Sequence, residues 1–484
     1  MVDRPPFARA GVLTVAGVLG VVLLVLSGRY GPHRDELYFA SAGHRLAWGY
    51  PDQPSLVAVS ARLSQELAPH SLVVLRLPSL LATVATIILT AGIARLLGGG
   101  TRAQVLTAVT SGTGALTMIL GHRLTTQTFD MTAWVAILFL AGLALADDRP
   151  RLWVATGVVA GIGLNAKHDV VVCLLGLFVG VLLAPAARHH LRSIWWWVGG
   201  LVALVLWLPN LFWQAGHGWP VFELSADISE EYGGLGGALE FVLLTLAVFS
   251  PLMALVWLWG LHGLLRRPEW RVLRPLGWVF VVTFAFFLVT GGKSYYLAGA
   301  IPALLAAGCV LLVDRFRHVV LIGAVLALSA IVAWPAGLPI LSPATYATSF
   351  FPSVEEDQLE TIGWPELTTT VRRVLADLPD TAVVFTGNYG ESGALEWYDV
   401  GAPVYSGHNA WGDWGPPSDG AGPVVVLGYG DSAPSEDFTG CRHAATVPVV
   451  DGADNEEAGG KVWVCQSPRK PWSELWPSLV HLDA

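Results

Sequence analysis

Lysine is nearly absent from this chain. Among 484 residues there are four, Lys167, Lys293, Lys461 and Lys470. Charge of any kind is scarce. Only 13% of residues are charged and 54% are hydrophobic, about half the charge of an ordinary soluble protein of this length. Cysteine is limited to four residues, with no Cys/His spacing that resembles a zinc site. No phosphate-cradling GxxxxGK[ST] occurs, and no GxGxxG opens a helix, so nucleotide-binding loops of those kinds are excluded. What remains is the composition of a multi-pass membrane protein. The richness in Ala, Gly, Val, Arg and Trp points to a GC-rich bacterial source, and hence to the bacterial inner membrane.

Apolar runs occupy residues 10–28, 72–97, 103–121, 129–146, 152–166, 169–187, 194–212, 238–265, 273–290, 297–313 and 318–336. A span needs roughly 20 residues, fewer where neighbours thin the bilayer, so about eleven transmembrane helices are expected. The first run follows Arg4 and Arg9, but no A-x-A-like cleavage site follows it, and it reads as a retained anchor. From residue 337 the character changes: Pro, Asp and Glu rise and no run can span. The expected organisation is a membrane domain over 1–336 and a soluble domain over 337–484.

Charge sets the expected topology. With the amino terminus inside, the inside loops hold Arg95 and Arg102, Arg149 and Arg151, Arg188 and Arg192, the group Arg266, Arg267, Arg271 and Arg274, and Arg315 with Arg317. All are basic, as the positive-inside rule requires. Residues 337–484 fall outside and carry 21 Asp+Glu against six Lys+Arg. An exposed domain this acidic argues against nucleic acid as a partner. Arg34, Arg45, Arg62, Arg76, Arg123, Lys167 and Lys293 then lie on the outward side, against the rule. Arg29 and Arg76, at helix ends, read as snorkelling interface anchors. Lys167 and Lys293 sit in the tight turns Asn165-Ala-Lys-His-Asp169 and Gly291-Gly-Lys-Ser-Tyr-Tyr296, which suit an anion.

The long outward loop, residues 29–71, begins with Arg34-Asp35-Glu36-Leu37-Tyr38-Phe39. Paired carboxylates beside hydrocarbon are expensive and tend to be functional. The bland alternative is an N-cap and first-turn acid for a helix. Helical spacing from Asp35 to Trp48 and from Ser55 to Leu67 predicts two helices lying in the interface plane. The loop over 213–237 reads as solvated. In the soluble domain, helices over 366–378 and 391–398 alternate with strands over 382–386 and 423–427, which predicts a small α/β layer. The segment Ser406-Gly-His-Asn-Ala-Trp-Gly-Asp-Trp-Gly-Pro-Pro417 could offer a sugar face, but Trp411 and Trp414 packing the loop onto the membrane domain is the favoured reading. Cys173 and Cys309 read as buried apolar residues. Cys441 and Cys465, in an oxidising compartment, are expected to pair.

Taken together, these segments resemble a known family. Asp35-Glu36 with Tyr38, followed by Gly49-Tyr-Pro-Asp-Gln-Pro54, is similar to the first outward loop of the GT-C membrane glycosyltransferases. The nearest branch is glycosyltransferase family 39, the protein mannosyltransferase-like group that includes the lipid A aminoarabinose transferases. Thr125-Thr-Gln-Thr-Phe-Asp130 resembles the family's second acidic motif, and Gly161-Ile-Gly-Leu-Asn-Ala-Lys167 its G-x-G-x-x-x-K turn. Pro209-Asn-Leu-Phe-Trp-Gln-Ala-Gly-His-Gly-Trp-Pro220 and Gly292-Lys-Ser-Tyr-Tyr-Leu297 are similar to segments of its bacterial members. The small outward domain departs from the pattern and leaves the acceptor open: protein, glycan or lipid.

The resemblance implies a GT-C fold and an inverting transfer of a sugar from a polyprenyl-phosphate donor to an acceptor hydroxyl on the extracytoplasmic face. Such a donor carries its own good leaving group. The site then needs a base and cations for the phosphate, but no cofactor; a divalent metal is allowed without being indicated. The implied base is Asp35, with Glu36 either orienting it or raising the pKa of the pair by like charge, and Asp130 binding hydroxyls or fixing Arg34 or Arg123. Lys167, Lys293 and Arg123 would hold the phosphate, helped by Tyr295 and Tyr296. Asp52, His408, Asn409 and Trp411 are candidates for acceptor or sugar contacts. Two other classes are a flippase of lipid-linked sugar and a membrane-anchored glycan-binding protein. A transporter would place polar residues at the bilayer midplane and show repeated halves; here the charges gather at one face and no repeat is evident.

Overall fold

The computed structural model describes residues 4–430 and 432–483. The membrane part runs α1 (Arg9–Leu26), α2 (Arg34–His44), α3 (Leu56–Leu67), α4 (Leu72–Leu96), α5 (Thr101–Thr113), α6 (Ala115–His122), α7 (Thr126–Ala146) and α8 (Leu152–Leu164). It continues with α9 (Val170–Leu183), α10 (Ile194–Gly216), α11 (Pro220–Tyr232), α12 (Gly234–Ala247), α13 (Pro251–Arg266), α14 (Arg274–Thr290), α15 (Ile301–Arg315) and α16 (Val319–Ile331). Every apolar run of the sequence maps to one of these helices or to an adjoining pair.

Among the described residues, five helices are long and apolar enough to cross a membrane alone: α1, α4, α7, α10 and the segment Val319–Gly337. Two further candidates are bent pairs, α5 with α6 at 61° and α12 with α13 at 93°. Helices α8, α9 and α14 are apolar but shorter. Helix α15 is shorter than a full span, and every residue from Ile301 to Leu312 is buried in protein.

The two breaks explain each other. A bend frees backbone N–H groups that lipid cannot satisfy. Ala115 N donates to Phe249 O at 3.0 Å, and Leu116 N to Val248 O at 3.3 Å, so each bend lies against the other. Gly114 permits this approach, since a Cβ there would meet the Phe249 ring at 2.5 Å. Elsewhere small residues let helices close up, as Gly157 of α8 does against the Gly199 backbone of α10.

The basic loops share one face. Arg4 pairs with Asp147, Arg95 Nε donates to Pro5 O, Trp270 Nε1 donates to Leu97 O, and Arg267 pairs with Asp314.

Beyond α16 come two short turns, α17 (Trp334–Gly337) and α18 (Pro343–Ala347), then α19 (Trp364–Leu375), β1 (Val383–Thr386), α20 (Tyr389–Trp397), β2 (Val404–Ser406), α21 (Ala410–Asp413) and β3 (Val424–Leu427). The chain ends with β4 (Phe438–Thr439), β5 (Arg442–Thr446), β6 (Lys461–Cys465), β7 (Ser467–Pro468) and α22 (Trp472–Leu479). Five strands form a mixed sheet in the order β2-β1-β3-β6-β5, with β1 parallel to β2 and β3, and the β6 pairings antiparallel. Cys441 and Cys465 are joined in a disulfide, as expected, at the edge where β5 pairs with β6.

Two expectations about the outward loop change. Helix α2 is not an exposed amphipathic helix. Every residue from Glu36 to Gly43 is buried, because α3 packs on it, α20 covers it, and Arg76 of α4 pairs with Glu36. Gly393 of α20 sits directly on α2, where a Cβ would lie 2.9 Å from the Leu37 backbone. Helix α3 does keep an exposed apolar face, at Leu63 and Leu67. Residues 220–232 form helix α11 rather than an irregular loop.

Candidate active site

The start of α2 is fixed by a capping box. His33 Nδ1 accepts from Asp35 N, and Glu36 Oε2 accepts from His33 N at 2.9 Å. Consecutive helical residues point about 100° apart, so Asp35 and Glu36 cannot share an environment. Glu36 turns into the core. It pairs with Arg76 Nη2 at 2.7 Å and accepts from Leu124 N at 2.9 Å, with both charged side chains buried. Burial pushes the Glu36 carboxyl up, but the Arg76 guanidinium and these hydrogen bonds outweigh it and hold it below its ordinary value. Glu36 is therefore a structural anchor of α2, not a partner of Asp35. Arg76 is correspondingly no snorkelling anchor: it also donates to Ser27 O and Gly31 O.

Asp35 turns outward into a cavity of ≈ 470 Å³. Arg34, Lys293, Tyr295 and Tyr389 line it beside Asp35. Glu231 and Tyr232 of α11 also contribute to the wall, and Glu240 and Asp357 bring its carboxylates, with Asp35 and Glu231, to four. Tyr389 Oη donates to Asp35 Oδ1 at 2.9 Å. Burial and the Asp35 charge push the Tyr389 phenol well above its usual range, so it stays protonated and acts as donor. Burial lowers the Lys293 ammonium below its ordinary value, and its Nζ stands 5.0 Å from the Tyr232 ring.

Tyr389 is the residue that sequence reasoning missed. It opens α20 immediately after β1, and Asn388 with Glu391 forms the capping box there. The sequence pattern starts this helix only at Glu391, and nothing local in the sequence reports a hydrogen bond to a residue 354 positions away.

Lys167 does not line this cavity. Its Nζ is engaged by Asp169 Oδ2 at 3.1 Å and Gln127 Oε1 at 2.7 Å, and lies 3.9 Å from the Tyr296 ring. Tyr296 is packed between that ammonium and Phe287. Asp130 is fully buried. It accepts from Trp134 Nε1 at 2.9 Å and Gln127 Nε2 at 3.3 Å, so it contacts neither arginine nor cavity. Gln127 Nε2 also donates to Tyr295 O. Lys167, Gln127 and Asp130 thus form a buried polar chain beneath the Tyr295–Tyr296 turn. Arg123 is likewise committed elsewhere, donating to Gln358 Oε1 at 2.7 Å with Glu355 at 3.6 Å. Of the three cations expected on a phosphate, the structure brings only Lys293 to the cavity wall, with Arg34 beside it.

The proposed sugar-contact residues meet, but as a seam rather than an open face. Tyr38 Oη donates to Asp52 Oδ1 at 2.8 Å and accepts from Ala410 N, and Asn409 Nδ2 reaches Asp52 Oδ2 at 3.4 Å. Burial pushes the Asp52 carboxyl up to about 7. His408, Asn409 and Trp411 are all buried. His408 packs on Tyr389 and His481, and burial, with the adjoining His481, pushes its imidazole down to about 4. Trp411 and Trp414 hold the Arg45 guanidinium at 4.9 and 4.5 Å. Both indoles thus pack this segment against Arg45 of the outward loop. The motif Gly49–Pro54 is structural too: Asn210 donates to Trp48 O and Gln214 to Tyr50 O, which pins the loop to α10.

This arrangement of helices, with a carboxylate-bearing loop helix packed against α20, is a GT-C fold, and its several apolar helices make the chain a multi-pass membrane protein. The solved structure of ArnT from Cupriavidus metallidurans in the apo state matches with a TM-score of 0.63 at 15% identity, covering 94% of this chain and 97% of that one. ArnT from the same organism bound to undecaprenyl phosphate matches with a TM-score of 0.60 at 16% identity over the same shares. The family model described as dolichyl-phosphate-mannose-protein mannosyltransferase matches residues 52–213, a stretch that includes Asp130 and Lys167. No protein of curated function matches the sequence.

Proposed function

We propose that this protein is an inverting glycosyltransferase that moves a sugar from a polyprenyl-phosphate donor to an acceptor hydroxyl at the extracytoplasmic face. The observation that carries the reading is the cavity in which Asp35, oriented by Tyr389, faces the ammonium of Lys293. Asp35 takes the proton from the acceptor hydroxyl as that oxygen attacks the anomeric carbon. The sugar–phosphate bond breaks on the opposite side, and the polyprenyl phosphate leaves with its charge met by Lys293 and Arg34. Lys293 is partly desolvated, which strengthens its pairing with an anion. The buried chain through Lys167, Gln127 and Asp130 holds Tyr295 and Tyr296 in place.

One structural neighbour supports the lipid-phosphate part: that ArnT structure holds undecaprenyl phosphate. The clustering of basic loops on the face opposite the cavity supports an extracytoplasmic site, with the amino terminus in the cytoplasm of a bacterial inner membrane. An apolar cavity of ≈ 310 Å³ between α8, α9 and α10, lined by Trp153, Leu164 and Trp207 among others, offers space for an isoprenoid chain.

The test is release of free polyprenyl phosphate from a radiolabelled polyprenyl-phosphate sugar by the purified protein with membrane extract as acceptor source. The reading expects release that depends on acceptor. Movement of intact donor between leaflets without release would instead establish a flippase.

A further inference from the structure

Beside the cavity, three carboxylates meet that the transfer reaction does not use. Glu360 belongs to the 3-10 turn Glu356–Thr361, and Glu456 and Glu457 lie in the turn before β6. Ligand oxygens of the three lie within 4.8 Å of one another. Glu360 and Glu457 are only 5% and 7% exposed. Both carboxylate oxygens of Glu457 and one of Glu360 are buried without a hydrogen-bond partner. One cation, Arg34, pairs with the more exposed Glu456 at 3.3 Å and leaves the Glu457 oxygens unmatched. Buried carboxylates this close repel and are costly without a counter-charge.

The frame around them is already built. Asn455 Nδ2 donates to Leu359 O at 3.1 Å and Ile362 O at 2.8 Å, which fixes the Glu456–Glu457 turn onto the Glu360 segment. Trp364 Nε1 donates to Glu360 O at 2.7 Å. The ligating groups are therefore held together by bonds that involve none of the carboxylates.

We propose that Glu360, Glu456 and Glu457 bind one hard divalent cation, Ca²⁺ or Mg²⁺. An all-carboxylate set suits these ions rather than a softer metal, and the exposed edge at Glu456 admits the waters that complete the shell. The cation bridges the segment after α18 to the turn before β6. It also competes with Arg34 for Glu456, and Arg34 lines the cavity next to Asp35, so the site adjusts how much positive charge faces the donor phosphate.

A second cluster, Asp148, His189 and His190, does not qualify. His190 Nδ1 accepts from Trp153 Nε1 at 3.2 Å, so in the neutral ring Nε2 carries the hydrogen and has no lone pair for a metal.

The cation site stands independently of sugar transfer, and its test needs no activity. Full-length protein in detergent, stripped with EDTA, is titrated with Tb³⁺, whose emission is sensitised by a nearby indole; Trp364 supplies one. The expectation is a high-affinity component displaced by CaCl₂ or MgCl₂, the lower effective concentration naming the ion. Glu456→Gln, at a partly exposed position that leaves the fold intact, and Glu457→Gln are each expected to weaken that component about tenfold or more. Less than tenfold weakening in Glu456→Gln, or no displacement by either ion at about 10 mM, overturns the proposal. Should Glu457→Gln fail to fold, Glu456→Gln alone decides.

Discussion

Asp35 and Glu36 are neighbours in sequence with opposite roles, and one helical step separates them. One faces a cavity and the other is sealed against Arg76. Tyr389 supplies the hydrogen bond that orients Asp35. A hydrogen bond to a charged group contributes about 1.5–3 kcal/mol, so Tyr389→Phe should slow transfer roughly 10–100-fold without loss of fold. Steady-state rates and a thermal melt of the variant check this. The two outward lysines should also separate. Lys293→Ala should weaken donor-lipid binding, since its ammonium lines the cavity. Lys167→Ala should lower the melting temperature instead, because it leaves Asp169 and Gln127 without their partner in a buried site. Donor-lipid titration and melts of both variants distinguish this from a shared phosphate site, in which both would lose affinity equally.

At the scale of elements, α2 is pinned to α4 by the Glu36–Arg76 pair. Glu36→Gln leaves an uncompensated guanidinium in the core and should cost about 3–5 kcal/mol. The pair also sets an acid limit. Because the folded-state carboxyl lies below its ordinary 4.5, its stabilisation is present above that value and is lost as pH falls toward the lower folded value. Urea melts of wild type from pH 6 to pH 3 should show this slope, and Glu36→Gln should flatten it. The Cys441–Cys465 bridge, spanning 24 residues, should contribute roughly 3 kcal/mol, read as the drop in unfolding free energy of a Cys441→Ala/Cys465→Ala variant.

The elements legible in sequence were those with a strong period or a long apolar run: α4, α7, α10, α19, β1 and β3. The bends at Gly114 and Ser250 were not legible, because each is satisfied by the other across the fold. Strand β5 was missed because Arg442-His-Ala-Ala-Thr446 lies at a solvated sheet edge and carries no apolar face. Asp35 was legible as a candidate because the Asp35–Glu36 pair follows closely on a long apolar run. The structural use of Glu36, Asp130, Lys167 and Arg123 was not, because a buried ion pair and a ligand site show the same residue types in sequence.

In the whole molecule, residues beyond 337 carry their own sheet and also pack on the outward loop. They cover α2, place Tyr389 on Asp35 and add Asp357 to the cavity wall. Truncation after residue 337 should therefore abolish transfer and expose Leu37 and Tyr38, which are now buried; activity and binding of an apolar dye read the two effects. The orientation reading expects a periplasm-active reporter fused after Ala484 to be active and a cytoplasm-active one to be silent. The central claim is that Asp35 is the base in a lipid-phosphate sugar transfer. Asp35→Asn keeps size and leaves the His33–Glu36 capping box untouched but removes the base. Single-turnover release of polyprenyl phosphate from saturating labelled donor should fall about 10²–10⁴-fold while donor binding and melting temperature stay near wild type. Release at close to the wild-type rate would contradict the account.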